Sequence, residues 1–167
     1  MKSSHLIGLL MSFLVALLLS DGFGTDGTAA GETGSKDITI RGYDPVAYFK
    51  AGEAKKGDPS HSFSWHNLTW HFQNEEHRQL FQENPEKFAP QYDGYCAWAM
   101  TEARKAETDP EVWKIVDGKL YLNCSMAAYE KWSRDISGNI TKADANWAKF
   151  RERKLKRSIS RRVVVRQ

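Results

Sequence analysis

Cys96, in QYDGYCAWAM at residues 91–100, and Cys124, in YLNCSMAAY, are the only two thiols of the chain. Four histidines, His61, His66, His71 and His77, stand in the stretch before Cys96. Thiolate and imidazole together suit a soft ion such as copper(I), or zinc, and the ligand set on this reading is Cys96 and Cys124 with a histidine from His61, His66, His71 or His77. Joined as a disulfide, the same two cysteines would close a loop of about 28 residues and stabilise a small secreted fold by about 3 kcal/mol on a chain-entropy argument. A redox pair is a third reading, weakened by the lack of a C-x-x-C motif, and two inert buried thiols are a fourth. Cys124 follows a predicted strand and precedes a predicted helix, where backbone N–H groups and the helix dipole favour a thiolate. Cys96, just after Gly94 and near the start of its own helix, is expected to share that setting. The sequence holds no Ser/His/Asp set, paired-carboxylate motif, glycine-rich phosphate loop or H-E-x-x-H helix, so it reads as non-enzymatic.

The elements that must carry these residues show in the hydrophobic period. Phe63, Trp65, Trp70 and Phe72 alternate on either side of His66-Asn67, the period-2 pattern of a half-buried hairpin. Val112–Val116 and Leu120–Leu122 flank Asp117-Gly118, the strongest short hairpin signal in the chain. Asn74 is placed to cap a helix whose inner face holds His77, Leu80, Phe81 and Phe88, with Pro85 re-aiming it. Further helices are expected after Asp44-Pro45, from about Tyr95, over SMAAYEKWSRDI with Met126, Tyr129, Trp132 and Ile136 inward, and at the end with Ile140, Ala143, Trp147 and Phe150 inward. SWHNLTWHFQNEEHRQLF and KIVDGKLYLNCSMAAYEKW repeat one plan of strand, turn, strand, helix. The expectation is a small single α+β domain in which two β-hairpins form one antiparallel sheet, packed by several short helices.

The ends differ from this middle. Residues 1–22 read as a secretory signal peptide: Lys2, then an apolar run from Leu6 to Leu19, too short to span a bilayer, then small residues. Residues 23–37 read as a flexible linker, residues 38–150 as the domain, and residues 151–167 as a basic, disordered tail. The net charge of +3 hides an asymmetry: from Lys149 onward there are nine Lys or Arg and one Glu, a tail of +8, on a body of 15 basic and 20 acidic residues, −5. A secreted chain does not meet nucleic acid, so the tail is matched instead to an anionic membrane surface, an acidic glycan or proteolytic processing at Lys154-Leu155-Lys156-Arg157. The chain is thus expected outside the cell, or in the periplasm of a bacterium, without a transmembrane span once the signal is cleaved. In a eukaryotic secretory route Asn67, Asn123 and Asn139 each begin an N-glycosylation sequon.

The succession DPVAYF, WHNLTWHF, NEEHRQLFQENPEKFAPQYDGYCAWA, DPEVWKIVDGKLYLN and KADANW resembles the secreted or periplasmic YHS-domain proteins over roughly residues 43–147. That family is related to TRASH-type modules of copper-handling and other heavy-metal proteins, so the resemblance implies soft-metal binding or sensing outside the cytoplasm. At the thiol positions of those modules this chain has Ala47, Gln73 and His77; His77 alone keeps a ligand-capable side chain, so the set that the resemblance implies is Cys96, Cys124 and His77. The competing functions are a secreted interaction module with a structural disulfide and a basic tail, and a thiol oxidoreductase.

Overall fold

Each hairpin turns through two residues in the left-handed region: His66 and Asn67 at φ 56° and 62°, Asp117 and Gly118 at φ 49° and 72°. Such turns match the twist of the strands they join. In the computed structural model, which describes residues 39–164, they link β1 (Asp58–Trp65) to β2 (Leu68–Phe72) and β3 (Asp109–Val116) to β4 (Lys119–Asn123). The expected leader (1–22) and linker (23–37) lie outside the described residues. Helices α1 (Ala47–Lys50), α2 (Glu75–Glu83), α3 (Pro85–Phe88), α4 (Ala97–Thr101), α5 (Met126–Ser133) and α6 (Ile136–Val164) complete a small α+β domain.

The hairpins do not merge into the single sheet expected from their sequences; they form two separate two-stranded sheets. Helices and 3-10 turns, not strands, lie against them: α2 and the turn Thr39–Gly42 on the first hairpin, α4, α5 and the turn Gln91–Gly94 on the second. An isolated two-stranded hairpin is marginal in water, and this helical cover supplies the missing burial.

The repeated plan, in contrast, extends well beyond the hairpins. The first ladder pairs Asp58 with Phe72 and, past a bulge, Ser62 with His71 through Trp65 with Leu68. The second pairs Asp109 with Asn123 and, past the same bulge, Trp113 with Leu122 through Val116 with Lys119. Every pair recurs after 51 residues (58 to 109, 72 to 123). The caps recur at the same interval: Asn74 accepts the His77 N–H as Ser125 accepts that of Ala128, and Asn84 accepts the Lys87 N–H as Asp135 accepts that of Gly138. Trp70 meets Phe81 at 5.1 Å and 35°, and Tyr121 meets Trp132 at 5.4 Å and 35°.

The two repeats share a core. Leu120 and Leu122 of β4 are buried with Val46, Trp70, Phe72 and Phe81 of the first repeat. Tyr48 joins them, donating its hydroxyl to the Pro110 carbonyl at 3.0 Å while its ring meets Trp113 edge-on at 5.2 Å. On α5 the buried residues are Ala128 and Trp132; Met126, expected inward, is 57% exposed because it opens the helix directly after its Ser125 cap.

Helix α6 begins as expected, with Ala143 buried and Ile140, Trp147 and Phe150 packed around it. Asn146 Nδ2 donates to the carbonyls of Met100 and Thr101 at 3.0 and 3.1 Å, tying α6 to the end of α4. The segment from residue 151, expected to be disordered, continues as helix to Val164. Its Lys, Arg, Glu and Leu are good helix formers, neither Gly nor Pro interrupts it, and Glu152 pairs with Lys156 one turn on at 2.7 Å. Among the described residues no helix is long and apolar enough to cross a membrane.

Burial pushes the Tyr48 hydroxyl well above its ordinary pKa and that of Tyr121 up to about 12. The unfolded chain therefore releases protons near pH 10 that the fold retains, so stability is present below pH 10 and is lost as pH rises through the folded-state values. The urea midpoint should fall steadily from about pH 10 upward, and a midpoint that stays level into strong alkali would contradict this. Tyr48→Phe should cost about 1 kcal/mol at neutral pH through the lost Pro110 hydrogen bond.

Candidate thiol site

Cys96 follows the 3-10 turn Gln91–Gly94 by way of the extended Tyr95 and caps α4. Gly94, at φ 81°, makes this possible: a Cβ there would lie 3.0 Å from Ile40 Cγ2 in a conformation L-residues avoid. The Cys96 N–H donates to the Ala106 carbonyl at 3.0 Å. Its sulfur accepts the N–H of Ala99 at 3.5 Å and that of Cys124 at 3.2 Å, and its thiol faces Asn123 Oδ1 at 3.8 Å. Asn123 is fully buried; Oδ1 also accepts the Trp98 N–H at 3.1 Å, while Nδ2 has no hydrogen-bond partner among the described residues.

Cys124 sits where β4 ends, directly before the Ser125 cap of α5. Both cysteines are free thiols, Cys96 buried and Cys124 exposed. The fold thus brings together two residues separated by 28 positions. The thiolate expected at Cys96 is not favoured. Burial pushes its pKa up, more than the Ala99 N–H pulls it down, and the neighbouring Cys124 thiol adds to the rise. A helix of five residues has little dipole with which to oppose that burial.

His77 belongs to a different cluster. Its Nδ1 lies 2.6 Å from Asp44 Oδ2, and Asp44 is fully buried. The same carboxylate accepts the N–H of Val46 at 2.8 Å and that of Gln73 at 2.9 Å. Among the described residues no group of three or more His, Cys, Asp or Glu is placed to hold a metal, so the expected set of Cys96, Cys124 and His77 reduces to the two thiols. The other histidines are engaged elsewhere: His61 lies 3.8 Å from Glu75, His66 stacks on Trp65 at 3.8 Å, and His71 is buried, with its pKa lowered first by that burial.

The repeat explains why Asp44 and Cys96 look alike. Each follows a Gly-Tyr pair, each donates its N–H across a loop (Asp44 to Lys55 at 2.8 Å, Cys96 to Ala106 at 3.0 Å), and each side chain accepts the N–H of the residue just after its hairpin, Gln73 or Cys124. Cys96 does with sulfur what Asp44 does with a carboxylate. Asp44 is the residue that sequence reasoning missed. The signal for it was Gly42-Tyr43-Asp44 against Gly94-Tyr95-Cys96, 52 residues apart, followed by Asp58-Pro59 against Asp109-Pro110, 51 apart, the loop between being one residue shorter in the second repeat.

The three sequons part company. Asn67 is exposed in its turn, whereas Asn123 and Asn139 are buried. Asn139 Nδ2, the atom a glycan would need, donates to the Trp132 carbonyl at 2.9 Å. A glycan on Asn123 or Asn139 would have to displace buried, packed groups in this fold, whereas Asn67 is open to one.

Iodoacetamide should alkylate Cys124 well before Cys96 under native conditions, with peptide mapping as the readout; equal rates would contradict the burial difference. Cys96→Ala, which leaves two N–H groups without their acceptor, should destabilise by about 2 kcal/mol, and Cys124→Ala by about 0.5 kcal/mol or less. Expressed through a eukaryotic secretory route, the chain should lose all N-glycan mass on Asn67→Gln. No protein-family model, curated protein or solved structure matches the chain.

Proposed function

We propose that the chain binds a soft metal ion outside the cytoplasm through Cys96 and Cys124, copper(I) being the best-suited ion. The observation that carries this reading is the adjacency of the two thiols, one exposed to receive an ion and one buried and held in place by backbone N–H groups. Copper(I) is satisfied by two thiolates, whereas a structural zinc site takes four ligands, two more than this pair provides. Cys124 would meet the ion first. Cys96 would follow as its proton is displaced, the N–H groups of Ala99 and Cys124 then pointing at a negative sulfur. The resemblance to YHS-domain proteins and the expected signal peptide favour an exported metal-handling role.

The test is competition for copper(I) against a chelator, with the reduced chain. One ion per chain should bind, Cys96→Ser or Cys124→Ser should each weaken binding at least tenfold, and His77→Ala should leave affinity unchanged while lowering stability by about 2 kcal/mol, because the buried Asp44 side chain loses a hydrogen-bond partner. Absence of copper above the double-serine control, or equal loss in His77→Ala, would overturn the proposal.

A second reading rests on the same adjacency. In an oxidising compartment the two thiols join as a disulfide, and the domain serves as an interaction module with a locked second repeat. Intact mass after alkylation in denaturant without reductant, which exposes Cys96 as well as Cys124, separates the two. Two added alkyl groups support the metal site, and none supports the disulfide.

A further inference from the structure

Beyond Phe150, the last residue of α6 packed against the core, residues 151–159 are exposed on every side. Arg151, Arg153, Lys154, Lys156 and Arg157 stand there against the single acid Glu152. Two large apolar residues share the same stretch: Leu155, 61% exposed, and Ile159, 54% exposed. One turn apart, they form a stripe on one face of the helix. At about 100° per residue Lys154 and Lys156 fall to either side of Leu155. Their long stems can lie along an apolar boundary while the ammonium groups stay in water.

A helix with an apolar stripe, a basic remainder and too much charge to cross a bilayer is built to lie in the plane of an interface. The partner must be anionic, because the residues before Lys149 carry a net −5 and are repelled by the same surface that attracts the helix end. A sulfated glycan would use the charges and leave Leu155 and Ile159 in water. An anionic bilayer takes both.

We propose that the distal half of α6 is a membrane-surface anchor for anionic phospholipid. Leu155 and Ile159 enter the headgroup–acyl boundary, Lys154 and Lys156 on either side and Arg151 one turn before sit at the level of the phosphates, and Arg153 and Arg157, on the opposite face, add longer-range attraction. This is independent of the thiol site, which lies on other elements.

The experiment is flotation of the full chain with vesicles of phosphatidylcholine alone or mixed with phosphatidylserine, alongside heparin binding. Phosphatidylserine should raise binding about tenfold or more, and added salt should remove most of that gain. Any attachment by the apolar residues near the N-terminus is common to both lipid mixtures and cancels in the ratio. Leu155→Ser with Ile159→Ser should lower binding to the anionic vesicles about tenfold and leave heparin binding unchanged. Lys154→Glu, Lys156→Glu and Arg157→Glu together should remove both. All five positions are exposed, so the fold survives these changes. Two results would overturn the proposal: no preference for phosphatidylserine, or the Leu155→Ser, Ile159→Ser chain binding anionic vesicles as well as the unaltered chain, which would make the helix a polyanion site for sulfated glycan.

Discussion

The carboxylate of Asp44 is buried, and a buried carboxylate is tolerable only when both of its oxygens are hydrogen-bonded. Here the answers come from three places: the Val46 N–H two residues on, the Gln73 N–H at the end of β2, and the His77 imidazole in the first turn of α2. Those contacts fix the start of α1, the exit of the first hairpin and the seating of α2 relative to one another. The aromatic cluster of Trp70, Phe72 and Phe81 then closes beneath them. In the second repeat the Cys96 sulfur holds the corresponding junction with weaker bonds, and no charge need be desolvated to do it.

That exchange of carboxylate for sulfur makes the two halves chemically unlike. In the first, the side chain at the junction already takes three hydrogen-bonding contacts, and its partner His77 is occupied with it. In the second, Cys96 has one neighbour, Cys124, that is not needed to hold the fold and faces solvent. The scaffold and the exposed thiol are adjacent but separate.

Much of this was legible in the sequence, and what was not has physical reasons. Both hairpins follow from alternating aromatics and from Asp117-Gly118, and the Asn74 cap follows from its position before the α2 stripe, because these are local patterns. The division into two sheets was not legible, since the period of a strand says which face is buried and not whether a strand or a helix covers its edge. The meeting of Cys96 with Cys124, and of Asp44 with His77, depends on tertiary closure over dozens of residues, and spacing alone could not pair them. The tail was misread from its charge. Density of like charge argues for disorder, but Arg, Lys, Leu and Glu also have high helix propensity, and α6 was already nucleated on the core through Ala143 and Trp147. The sequons show the limit of short motifs: a three-residue pattern carries no knowledge of whether its asparagine lies in a turn, as Asn67 does, or beneath a helix.

The 51-residue repeat has a further consequence, for variation. Two identical units in a symmetric dimer must change together, because one coding segment writes both. Here the units are joined in one chain, so a substitution at the junction of one leaves the other untouched, and association costs no dependence on concentration. The first unit can stay conservative, with its carboxylate and imidazole locked, and keep the shared core assembled. The second is thereby free to diverge, and it is the second that holds the thiols.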